Sequence, residues 1–119
     1  MAPAGWPSDL APEGTERFEA DVVSWLLDRG PADLRTSPLR HEPLALAYVV
    51  AQCVEAQVEA FRTAYRTVRA DLGRTLSPDA LTRVQQALEA QGALALAVQR
   101  EVSLVVGALR RRVEAGDVA

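Results

Sequence analysis

A chain of 119 residues with a formal net charge of −3 has room for one domain and lacks the basic surplus that general nucleic-acid binding requires. One cysteine and one histidine rule out a disulfide framework and leave too few ligands for a protein-only metal site, so neither metal nor cofactor is expected. Aromatic residues make up 5% of the chain against 49% for all hydrophobic residues, so the core must be filled by Leu, Val and Ala.

Residues 1–14 contain three prolines and two glycines and no helical period, which reads as a flexible arm ahead of a single helical domain over 15–119. Trp6 and Leu10 are the residues able to pin that arm to the body. A first helix is expected over 15–29, with Thr15 as N-cap and Glu16 and Glu19 at the positive end of the helix dipole. Phe18, Val22, Trp25 and Leu26 share its apolar face, and Gly30 with Pro31 ends it. A proline-rich connector follows, with a turn of helix near Asp33. Pro43 suits the first turn of a second helix over 43–72, since its missing N–H has no intrahelical partner there, and Gly73 supplies the residue past its end. Ser77, Pro78 and Asp79 form a start signal for a third helix over 77–115, stopped by Gly116. Gly92 and Gly107 fall inside that helix and suggest a bend or the close approach of another backbone. No segment alternates with period two. The expected fold class is all-α: a short N-terminal helix plus a long antiparallel helical hairpin, forming a four-helix-type bundle by dimerisation.

The hairpin rests on a 3-4 repeat. Leu44, Ala47, Ala51, Val54, Val58, Phe61, Tyr65, Val68 and Leu72 are answered by Leu81, Val84, Leu88, Gln91, Ala95, Val98, Val102, Val105 and Leu109, a coiled-coil-like seam. The link around Thr75 is too short for anything but antiparallel neighbours. Beside the seam runs a second apolar stripe, including Leu46, Val50, Cys53 and Ala60 on the second helix and Ala87, Leu94, Ala97 and Leu104 on the third. The short first helix spans only three or four turns, so part of this stripe needs another cover. A second copy of the chain is the simplest one, and these eight residues are the expected oligomer interface.

Chemistry is sparse. Cys53 lies among apolar neighbours with no cation to lower its pKa, which reads as core filler. Arg35, Arg40 and His41 stand at the entrance of the second helix, where backbone N–H groups favour anions, but no glycine-rich turn accompanies them. Arg62, Arg66 and Arg69 make a polar face with Glu55 and Glu59 in helical i,i+3 and i,i+4 pairs. These six side chains are candidate contacts for an anion or a partner. Arg110, Arg111 and Arg112 are placed to answer the acids of the first helix and to seat Trp25 and Leu26 beside Val105, Leu109 and Val113. Gln57, Gln91 and Glu101 interrupt apolar stripes, where a buried polar group would set helix register or touch a ligand.

The chain has no Lys, Asn or Ile, whose codons are A/T-rich, so a GC-rich bacterial genome accounts for the all-Arg basic set. No charged segment leading into an apolar one opens the chain, and Gln52, Glu55, Gln99 and Glu101 break the longest apolar runs. A cytoplasmic protein with no membrane span is expected. Without a catalytic triad, paired carboxylates, metal motif or phosphate loop, the expected function is non-enzymatic: a dimeric helical interaction or regulatory protein offering a docking surface to another protein. The alternative is a bundle that binds an anionic small molecule through clustered arginines, as a sensor or small all-α enzyme.

Overall fold

The structure, a computed structural model, describes residues 2–118, with side-chain surroundings for residues 2–116. Met1 and Ala119, the outer limits of the expected arm and domain, lie outside the described residues. Three α-helices make up most of the chain: α1 (Glu16–Leu27), α2 (Pro43–Leu72) and α3 (Pro78–Val118), with two short 3-10 turns, Ala32–Thr36 and Pro38–His41, between α1 and α2. No strand occurs among the described residues.

The start signals act as expected. Thr15 Oγ1 accepts from Phe18 N–H at 3.1 Å, and Ser77 Oγ accepts from Ala80 N–H at 3.1 Å, each satisfying a first-turn donor that has no partner within its helix. Gly73 closes α2 in the right-handed region, φ −62°, its N–H donating to Arg69 O. Thr75 N and Leu76 N both donate to Leu72 O, so the tip reverses in right-handed turns with no left-handed glycine. α3 passes through Gly92 and Gly107 without interruption, and their nearest neighbours are the side chains of Phe61 and Arg111. Neither glycine admits a close backbone, which corrects that expectation, and α3 continues past Gly116 to Val118.

α3 is 41 residues long, about 61 Å at 1.5 Å per residue, which accounts for the 62 Å long axis of the molecule. α2 returns along it for 30 residues. Across the seam Arg69 Nη2 donates to Gln85 Oε1 at 2.8 Å, and Gly92 faces Phe61, which sets the antiparallel register.

The core sits at one end of this hairpin. Phe18, Val22, Trp25 and Leu26 of α1 join Leu46, Ala47, Val50 and Val54 of α2 and Val102, Val105, Ala108 and Leu109 of α3 in one buried cluster. The N-terminal segment is seated on it. Pro7 and Leu10 are buried, Trp6 packs on Phe18 with ring centroids 5.8 Å apart, and Trp6 Nε1 donates to Leu10 O at 2.9 Å. Gly5 and Gly14 have φ of +83° and +85°, a conformation glycine adopts at no steric cost, and these turns fold the segment back. The C-terminal arginines answer acids as expected: Arg111 pairs with Glu13 at 2.6 Å and Arg112 with Glu19. Val113 does not join Trp25 and Leu26. It is 43% exposed, because it lies about 100° further round the helix from Arg112.

By length and composition α2 and α3 are each apolar enough to cross a membrane, with 18-residue windows of mean hydropathy 1.3 and 1.5. This corrects the expectation that the apolar runs fall short of a span: the interrupting Gln and Glu residues are too few to lower the average. Core helices of soluble proteins meet the same measure.

Candidate interaction surface

Only one end of the hairpin has a third layer, and the second stripe shows where it stops. On α3 the stripe runs Ala87, Ala90, Leu94, Ala97, Glu101, Leu104, Ala108 in steps of three and four, one helical face. Ala108 is 1% exposed at the end where α1 packs and Leu104 is half-buried, whereas Leu94 is 62% exposed. Ala87, Ala90 and Ala97 are also exposed, and Glu101 is half-buried at the boundary. The matching stripe on α2 changes at the same level. Leu46 and Val50 are fully buried, Cys53 is half-buried, and Gln57 and Ala60 are exposed.

The eight expected interface residues therefore divide. Leu46 and Val50 are sealed by the chain itself, with Gly30 and Leu34 close to Val50, and present no surface to a partner. Leu104 is half-buried beside Gly5 of the N-terminal segment. Ala60, Ala87, Leu94 and Ala97 form the uncovered face, with Cys53 at its edge. Gln57 and Gln91 are exposed, and among the described residues no polar residue is buried, so neither sets register within the chain. Seam residues Tyr65 and Leu72 are 43% and 42% exposed, because two helices without a third layer cannot close their own flanks.

The six candidate polar contacts fall into two separate groups, one on the connector and one on α2. Arg35 pairs with Asp28 at 2.7 Å, and Arg40 and His41 are exposed on the second 3-10 turn. Arg62 pairs with Glu59 at 2.8 Å, Arg66 Nη2 donates to Thr63 Oγ1 at 3.4 Å, and Arg69 is held by Gln85. The connector group and Arg62 lie about 28 Å apart along α2, taking 1.5 Å per residue. Arg62 and Arg66 line an open groove of ≈ 460 Å³ with Phe61, Tyr65, Leu88, Glu89 and Gly92. Both arginines come from one helix, and Glu89 adds a negative charge to the wall.

One polar cluster escaped the sequence reading. Asp9 accepts from Trp25 Nε1 at 2.8 Å and from Arg29 Nη2 at 2.6 Å, while the Arg29 guanidinium stacks 3.8 Å over the Trp25 ring. The Trp25 hydrogen bond is the main cause that holds the Asp9 carboxyl below its ordinary pKa; desolvation opposes it, and the hydrogen bond and charge of Arg29 add to the lowering. The only sequence signal was an Arg four residues after a Trp, a helical spacing at the end of α1, and nothing local to Asp9 places that acid beside them. Glu13 is likewise lowered, by the hydrogen bond and charge of Arg111. Among the described residues no cluster of His, Cys, Asp and Glu is arranged to hold a metal ion.

Comparison with protein-family models, with curated proteins and with solved structures gave no match.

Proposed function

We propose that this chain is a non-enzymatic helical interaction or regulatory protein, acting in the cytoplasm as a homodimer that offers a docking surface to another protein. One observation carries the reading: a single helical face is covered by α1 at one end and bare at the other, with Leu94 62% exposed in its middle. Contiguous apolar surface of this kind marks interaction sites on soluble proteins. The apolar character of α2 and α3 is accounted for by the buried cluster plus this face. The anion-binding alternative has weaker support, because the arginines are spread along the molecule and Arg35, Arg62 and Arg69 already hold local partners.

Molecular mass in solution across a dilution series tests the reading. The expected result is a dimer that dissociates on dilution, and a monomer at every concentration for Leu94→Glu with unchanged helix content. A wild-type monomer throughout, or a chain recovered only from membranes, would overturn it.

A further inference from the structure

We infer that two copies pair through the bare face in antiparallel orientation, α3 on α3 and α2 on α2, with each hairpin tip stopping at the foot of its partner's α1. This rests on the dimeric reading above and adds its geometry. The orientation follows from what already occupies the face. α1 and the N-terminal segment stand on it from about Glu101 outward, since Ala108 is covered and Gly5 lies beside Leu104. A parallel pair would drive both copies of α1 into the same space. Turning one copy end over end puts bare face on bare face and leaves each α1 outside the contact.

The size fits. From Leu76 at the tip to Glu101 the chain runs 25 residues, nearly all of them in α3, about 37 Å at 1.5 Å per residue. A two-helix face is about 20 Å wide. Each copy thus offers roughly 700 Å², and the pair buries roughly 1,400 Å², within the range of stable specific interfaces.

The chemistry is self-complementary. The two-fold axis falls near Ala87 and Ala90, where alanines let helix axes approach closely. Leu94 lies over the partner's Ala80 and Ala87, a large side chain on small ones, with the aliphatic stem of the partner's Arg83 alongside. At each end Glu101 meets the partner's tip, which carries Arg74. Among the described residues neither Glu101 nor Arg74 has an ion-pair partner within its own chain.

Distance between tips decides the geometry. In the full-length chain carrying Cys53→Ser, a nitroxide placed on Thr75→Cys should report an inter-label distance near 37 Å by pulsed dipolar spectroscopy, the overlap length at 1.5 Å per residue. A dimer with labels within about 20 Å, as two helix widths allow in a parallel pair, or with any other distance, overturns this geometry and leaves the dimeric reading standing. A single-chain mass with no inter-label coupling overturns both. In the wild-type cysteine background, Glu101→Arg should weaken dimerisation roughly tenfold through two rim charge pairs, and adding Arg74→Glu should restore it. An unchanged dissociation constant for Glu101→Arg also overturns the register.

Discussion

Asp9 shows how much one side chain outside any helix can hold. Its carboxylate joins the N-terminal segment to α1 through Trp25 and Arg29. Its folded pKa lies below the ordinary 3.8, so its contribution to stability is present above that pH and is lost as pH falls through the lowered value. Asp9→Asn keeps an acceptor for the indole but cannot titrate. Its denaturation midpoint should therefore fall less steeply than wild type below about pH 4, measured by urea titration at a series of pH values. Because Asp9 is 58% exposed, the difference should stay under about 1 kcal/mol. A parallel fall in the two proteins would count against the ion-paired role.

Among the elements, α1 has the largest effect on the hairpin for its length. It is 12 residues long, yet it divides one continuous helical face into a buried end and a bare end. Leu26, fully buried in the cluster, should cost about 2–5 kcal/mol when replaced by Ala, since the cavity among Leu46, Val50 and Val105 cannot collapse fully. Leu94→Ala, assayed dilute enough to be monomeric, should change stability by less than about 0.5 kcal/mol. Chemical denaturation of both variants checks the contrast. Removing residues 1–30 should lower the melting temperature by roughly ten degrees or more; an unchanged melt would show that α1 does not dock in solution. Helix positions and caps were legible because capping and period are local: Thr15, Ser77 and Pro43 announce themselves within four residues. The seating of the N-terminal segment was legible only in part: Trp6 and Leu10 stand out as apolar anchors, but Asp9 is held by Trp25 and Arg29, well along the chain.

For the whole molecule, a long hairpin covered at one end leaves an apolar face bare at the other. If the bare face is filled by a second copy, folding is linked to dimerisation. The melting temperature should then rise with protein concentration, by mass action. Scanning calorimetry across a hundredfold concentration range measures this. Leu94→Glu should abolish the dependence while retaining the α1 cluster. The cationic side chains have no comparable collective role: Arg17, Arg35 and Arg62 pair with acids close by in the chain, while Arg29, Arg111 and Arg112 tie separate segments together at the covered end.

What the sequence determined by itself was the all-helical class, the antiparallel hairpin and the surplus of apolar surface, because a 3-4 repeat, two caps and a short link are readable in order along the chain. What only the tertiary structure decided was where that surplus lies. Leu46 and Leu94 occupy equivalent stripes and look alike in sequence, yet one is sealed and the other bare. The difference comes from the tilt and reach of α1, set by Trp25, Leu26 and the Glu19–Arg112 pair meeting residues more than 70 positions away. Periodicity reports the face a residue occupies; only packing reports what stands on that face.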